Sequence, residues 1–203
     1  MLTEFQGSGD YAVATLNTSG ATKELVSIEG HYEVVCRDKD GNLKWEERFP
    51  NAVVAIGKQL MLDSFLKGSA YTVVGPFLGL TKVSLTPLQN DTMTTLVTTN
   101  AAEFINYTVG GSPVRGTAVF ATATNGGQAL GSNVVTSAAA SITYTITGAG
   151  GTIYGCFLVT GPSAVSTQSS TAGTLYSEGN FGTAKAVTSG DTVAVTYSTT
   201  ATS

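Results

Sequence analysis

Residues 31–37 and residues 43–49 both alternate between apolar and polar side chains. Alternation with a period of two is typical of a strand with one buried face. Between the two runs lies the sequence DKDGN, whose Asp-Gly and Gly-Asn pairs supply the left-handed backbone conformations of tight turns. The pattern therefore predicts a β-hairpin, with Trp45 on its apolar face and Arg48 on its polar face.

The apolar period changes directly after the hairpin. Ile56, Leu60 and Phe65 recur at spacings of four or five residues, with polar residues between them. This spacing predicts one short α-helix, at about 52–67, and Gly68 ends it as a C-terminal cap. Residues 71–80 are predicted to form a buried strand, with a bulge or an edge position at its Gly-Pro pair.

Beyond residue 80 the pattern predicts short strands only, separated by turns that contain glycine. They are expected at 103–109, 115–123, 141–148, 152–161, 174–181 and 191–200. Strands at this spacing with no helices between them indicate a mainly β fold, an antiparallel β-sandwich or jelly-roll-like domain. Residues 1–30 show no sustained period and are predicted to be an extended N-terminal arm. The rest, 31–203, is predicted to be a single domain with a hairpin–helix unit at 31–80.

Charge is scarce and unevenly placed in this chain of 203 residues. Charged residues make up 12% of it, about half of the usual share, and 17 of the 24 lie in the first 70 positions. The net charge of −4 gives no basic surface for a nucleic acid, so no direct nucleic-acid partner is expected. No secretory signal or membrane-spanning run is recognised, so synthesis in a cytoplasm and no membrane contact are expected.

The candidates for chemistry are few. His31 is the only histidine, so any nucleophile that needs an imidazole base depends on it. The DKDGN segment has acidic side chains at alternate positions, but Gly41 comes two positions too early for an EF-hand loop, and Phe49 stands where the bidentate glutamate belongs. The isolated acids do not form a pair by spacing alone. We therefore expect no enzymatic activity, no metal and no cofactor.

The two cysteines, Cys36 and Cys156, each lie within an apolar alternating run. Neither belongs to a Cys-x-x-Cys pair. We expect buried free thiols that pack as small apolar groups.

Three blocks of the sequence resemble a family of small virion proteins of tailed bacteriophages. They are YEVVCRDKDGNLKWEERFPNAVVAIGKQLMLDSFLKGSAYTVVGPFLGL with the following NDTM, then GCFLVTG, and then GTLYSEGNF with AVTSGDTVAVTY. The resemblance covers about 32–80 and 151–198. Some members of such families act as capsid decoration or cement proteins.

This resemblance implies a structural protein on the capsid surface of a virion, synthesised in the host cytoplasm. Its expected partners are the major capsid protein and other copies of itself, as a dimer or trimer. Four residues are the candidate partner contacts, namely Phe5 and Tyr11 in the arm and Trp45 and Arg48 in the hairpin. The alternative is a tail component or receptor-binding module, in which exposed aromatic residues such as Trp45 or Tyr107 contact host glycans.

Overall fold

The structure is a computed structural model that describes residues 27–67, 74–122, 124–125, 135–138 and 140–202. Within these ranges every strand pairing is antiparallel. The strands are β1 (Ser27–Arg37), β2 (Leu43–Val53), β3 (Val74–Thr81), β4 (Glu103–Phe104), β5 (Tyr107–Thr108), β6 (Gly116–Thr117), β7 (Thr124–Asn125), β8 (Val135–Ala138), β9 (Ile142–Ile146), β10 (Gly151–Gly161), β11 (Thr174–Val187) and β12 (Thr192–Thr202). The predicted mainly β, antiparallel, sandwich-like fold is confirmed.

The strands form two layers that share β2. In the first layer β1 lies between β2 and β12, and β12 also pairs with β9. In the second layer β10 lies between β11 and β3. The end of β2 leaves β1 and pairs with β11 through Ala52 and Val53, so one continuous strand joins the layers and nearly closes the sheet into a barrel.

The main core lies between the two layers and is tied across by tyrosine hydroxyls. Tyr144 of β9 donates a hydrogen bond to the carbonyl oxygen of Leu78 in β3, at 2.7 Å. Tyr32 of β1 is hydrogen-bonded to the hydroxyl of Ser177 in β11, at 3.0 Å. Burying a hydroxyl costs free energy unless it is hydrogen-bonded, so these two contacts help to fix the spacing and register of the layers.

The second layer also has a covering on its outer side. Residues 82–102 and the start of α1 (Ala55–Leu66) pack there around Phe157, Val159 and Leu175. The side chain of Asn180 holds this covering by bonding both the backbone N–H and the carbonyl of Leu85, at 3.0 and 2.7 Å. No such apolar cluster lies outside the first layer among the described residues.

Helix α1 confirms the predicted helix but is shorter than 52–67. Residues 52 and 53 remain in β2, and Val54 donates its backbone N–H to the Tyr176 carbonyl in β11, at 3.1 Å. The β-branched pair Val53 and Val54 favours the strand over the first helical turn. The helix therefore begins only at Ala55.

A second helical element overturns the prediction of strands only beyond residue 80. It is a π-helix, Thr95–Thr99, which follows directly on two α-helical residues, 93–94. By its intrinsic β propensity, threonine favours a strand in this segment. Tertiary contact decides otherwise, because Met93 and Leu96, three positions apart, are both buried in the outer cluster.

Other boundaries differ from the sequence predictions in detail. Residues 27–30, assigned above to the arm, are the first residues of β1 and pair with β12. The strand expected at 103–109 is broken into β4 and β5 because β4 pairs with β3 in one layer, whereas β5 pairs with β9 in the other. The strand expected at 115–123 is reduced to β6. The predicted bulge at Gly75 and Pro76 is confirmed by a register shift between β3 and β10.

Candidate functional site

The DKDGN segment is the turn of the predicted hairpin. One carboxylate oxygen of Asp38 accepts the backbone N–H groups of Asp40 and Asn42, at 2.9 and 2.8 Å, and the other accepts the Asn42 side-chain amide. Gly41 has the left-handed φ of 86°. These hydrogen bonds, those from Asn42 first, lower the pKa of Asp38. Its carboxylate is thus engaged within the turn.

Two of the acids that look isolated in the sequence meet in the structure. Glu178 of β11 and Asp91 of the outer covering are 2% and 6% exposed, and their carboxyl groups lie close enough to interact. Burial, followed by the hydrogen bond and charge of Asp91, raises the pKa of Glu178 to about 8. The Leu88 N–H donates to Asp91 at 2.7 Å. Both groups are too buried to reach a substrate, and they join the covering to the sheet.

A third acid, Glu103, forms a buried ion pair with Arg115. The guanidinium donates to both carboxylate oxygens, at 2.8 and 2.7 Å. It also donates to the Ser170 carbonyl at 2.8 Å, while the Ser169 N–H donates to Glu103 at 2.8 Å. Both partners are thereby satisfied by hydrogen bonds, and the cluster ties the loop around residue 169 to the body.

Other groups with potential chemistry lie apart from one another. His31 is half-buried on β1 opposite Ser198 and Pro50. Cys36 and Cys156 are buried free thiols, as the sequence predicts. Among the described residues, no three His, Cys, Asp or Glu side chains are grouped so that they could hold a metal ion. Neither helix in the described ranges has the length and apolar character needed to cross a bilayer.

The hairpin residues predicted as partner contacts lie on opposite sides of β2. Trp45 is half-buried against the core, with its ring 5.5 Å from that of Phe181 and 5.8 Å from the Lys185 ammonium. Arg48 is exposed on the other side and pairs with Glu33 at 3.2 Å. Packing against the body is therefore the better account of Trp45, whereas Arg48 remains available as a contact. Phe5 and Tyr11, and most of the predicted arm, lie outside the described residues.

Arg48 belongs to a polar surface on the outer side of the first layer, which we term the open face. Strand alternation directs its members outward, and each is half-buried or exposed. They are Glu33, Val35, Glu46, Arg48, Thr143, Thr145, Thr192, Ala194, Thr196 and Ser198. A shallow groove of about 370 Å³ crosses its charged half. The sequence signal for this surface was the alternation of threonine with apolar residues in β9 and β12.

A second candidate surface is apolar and lies on α1. Leu62, Phe65 and Leu66 are 60%, 81% and 77% exposed, and we term these three residues the α1 stripe. The sequence spacing grouped Phe65 with Ile56 and Leu60, but the structure separates them, because the buried residues of α1 are Gly57 and Leu60. The sequence does contain a signal for this exposed apolar surface, because α1 has apolar residues around most of its circumference, more than one buried face requires.

No family model, no curated protein and no solved structure matches this chain. In the described part of the chain, two surfaces are exposed, the open face and the α1 stripe, whereas the acids that meet are buried and join segments of the fold.

Proposed function

We propose that the protein is a non-enzymatic structural component of a tailed-bacteriophage virion, which decorates the capsid surface by binding the major capsid protein. The sequence resemblance over 32–80 and 151–198 is one support. The observation that carries the proposal is the open face, because the outer cluster covers the second layer of the sandwich whereas the first layer presents a broad polar surface.

The side chains of the open face suit a docking surface. Threonine is branched at Cβ and holds few χ1 conformations in a strand, so little side-chain entropy is lost when a partner covers it. The Glu33–Arg48 pair adds two fixed charges at one border of the face. An exposed pair of this kind contributes little to stability, but it can orient a partner and speed association.

Binding to capsid shells tests the proposal. Shells that lack the protein are mixed with purified protein and sedimented, and the bound fraction is titrated. Thr143→Arg places a long charged side chain on the open face and is expected to weaken binding strongly. Thr152→Arg makes the same change at an exposed threonine of β10, in the other layer, and is the matched control. Equal binding by both variants would reject the open face as the capsid contact.

The alternative function, a tail component or a glycan-contacting receptor module, differs in location and copy number. A decoration protein occurs in numbers comparable to the capsid subunits, whereas a tail component occurs in few copies. The Trp45 ring already contacts Phe181 and Lys185, which makes it a poor platform for sugar stacking. Tyr107, expected to be exposed for such a contact, is buried in the core instead. Quantitative mass spectrometry of virions separates the two functions: a copy number near that of tail proteins would reject decoration.

A further inference from the structure

Residues 82–102, which cover the second layer of the sandwich, form a loop that is closed at its base. The Lys82 N–H donates to the Ala102 carbonyl at 2.7 Å, so the two ends of the loop meet where β3 and β4 pair. No strand ladder of the described structure includes any residue between these ends. We term 82–102 the flap, and its opening would break no strand pairing.

Two polar contacts hold the middle of the flap to the body. The first is the Asn180 side chain, which bonds the backbone N–H and carbonyl of Leu85. The second is the Gln89 carbonyl, which accepts the N–H of Ala55, the first residue of α1, at 2.8 Å. The flap thus lies over β11 and the start of α1, and Asp91 follows two residues after the second contact.

Asp91 and Glu178 form a third contact, which differs from the other two because it titrates. Both side chains are almost wholly buried. The Oε1 atom of Glu178 has no hydrogen-bond partner in the described part of the protein. Two buried carboxylates without a cation repel one another and have lost their hydration. The closed flap therefore requires a proton on this pair.

No other charged side chain among the described residues takes the place of that proton. Apart from burial, Asp91 is the group that raises the pKa of Glu178. Tyr32 lies across β11, where its hydroxyl bonds Ser177, and burial raises its pKa. Strands β3 and β10 carry no charged residue, and the end of β2 that pairs with Glu178 is apolar. The other charged side chains on this side are exposed, half-buried or paired, namely Lys58, Asp63, Lys82 and the Glu103–Arg115 pair.

We propose that the flap opens from the second layer when the Asp91–Glu178 pair loses its proton, so that pH controls access to the outer apolar cluster. Packing of Met93 and Leu96 in that cluster holds the flap closed while the proton is present. The sandwich stays folded when the flap opens, because the strand ladders do not include the flap. Opening uncovers the apolar residues beneath it, namely Phe157, Val159 and Leu175.

The size of the effect follows from proton linkage. In the open flap Glu178 meets water, and its pKa returns from about 8 to its ordinary value of 4.5. Between these two values opening releases a proton, so the ratio of open to closed flap rises about ten-fold for each pH unit. Over the whole interval the ratio rises by about 3,000-fold. It levels off above the upper value and is smallest below the lower one.

Hydrogen exchange of single amides, measured by NMR, tests the opening. The Leu85 and Ala55 N–H groups each donate across the boundary between flap and body, so opening exposes them to water. Val54, the residue before Ala55, donates to the Tyr176 carbonyl in β11 at 3.1 Å. That hydrogen bond does not involve the flap, so the Val54 amide is the matched control.

The protection of Leu85 and Ala55 is expected to fall about ten-fold for each pH unit between about pH 5 and 8, after division by the intrinsic rate of each amide. It should also stay below the protection of Val54, which requires a larger opening. Urea at low concentration should leave exchange at Leu85 and Ala55 unchanged, because a local opening exposes little surface, but should accelerate exchange at Val54.

Two variants test the trigger. Glu178→Gln removes the titrating group, so the protection of Leu85 and Ala55 should keep its acidic value across the whole pH range. Glu46→Gln makes the same change at an exposed position of β2 and should follow the unmodified protein.

Three results would overturn the proposal. If Leu85 and Ala55 exchange at the rate of Val54 at every pH, the flap opens only when the whole protein unfolds. If their protection does not change with pH, the carboxyl pair does not control opening. The unmodified protein is sufficient for both of these comparisons. If the pH dependence persists in Glu178→Gln, another group controls the flap.

Discussion

Replacing Glu178 with glutamine should remove a pH dependence of stability that the buried carboxyl pair creates. Glu178 is 2% exposed, and its Oε1 atom is buried with no hydrogen-bond partner in the described part of the protein. Desolvation, together with the hydrogen bond and charge of Asp91, raises the pKa of Glu178 from 4.5 to about 8. The native protein therefore holds a proton that the unfolded chain releases at lower pH.

The sign of the effect follows from proton linkage. Between pH 4.5 and about 8 the native state binds more protons than the unfolded state, so the free energy of unfolding decreases as pH rises. The stabilisation is fully present below 4.5 and is lost by about 8. At about 1.4 kcal/mol for each pH unit, the whole interval corresponds to at most ~5 kcal/mol. Glutamine keeps the shape and a donor for Asp91 but has no charge to titrate.

Urea unfolding at several pH values measures this effect, with the fluorescence of Trp45, the only tryptophan, as the probe. Glu178→Gln should match the unmodified protein near the acidic end of the interval and exceed its stability at the alkaline end. Glu46→Gln makes the same chemical change at an exposed position and should follow the unmodified protein. If the stabilities of the unmodified protein and Glu178→Gln change in parallel across the interval, Glu178 does not hold the proton.

Three further predictions follow from buried contacts. Arg115→Met should lower the free energy of unfolding by about 3–5 kcal/mol, because it leaves the Glu103 carboxylate buried without its partner. Adding Glu103→Leu should restore much of this loss. If the losses of the two single variants simply add in the double variant, as measured by chemical denaturation, the pairing is contradicted. Gly57→Ala should destabilise by about 1–3 kcal/mol through its clash with the β11 backbone, and an unchanged melting temperature would contradict the close packing of α1. Cys36 and Cys156 should react with a thiol reagent only on unfolding, because both are buried. Burial also raises the pKa of both thiols, to about 11 for Cys36. Rapid labelling of the folded protein would disprove their burial.

The hairpin and the helix were predictable because the signals that specify them are local. Alternation in residues 31–37 and 43–49, with Gly41 in the turn between them, defines two strands before any partner is considered. The position of Phe65 was not predictable in this way. Helical spacing alone does not say which of several apolar sides meets the body, and here Gly57 and Leu60 are the residues that do.

The functional surfaces were only partly foreseen. Arg48 was a candidate contact from its place on the polar side of the hairpin, and it does lie on the open face. Trp45 was predicted on the apolar face of the hairpin, and it does pack against the core. Its ring partner, Phe181, lies on a strand remote in sequence, and no local pattern indicates that contact.

The sequence by itself determined the mainly β class, the antiparallel hairpin, one helix and the burial of both thiols, because periodicity and turn chemistry act between neighbouring residues. Tertiary structure alone decided that Asp91 meets Glu178 and that Glu103 meets Arg115. It also decided which layer of the sandwich is covered and which side of α1 is left exposed. Those features depend on how distant strands pair and on which segments pack over them. The free energy that selects them comes from contacts between residues far apart in the sequence.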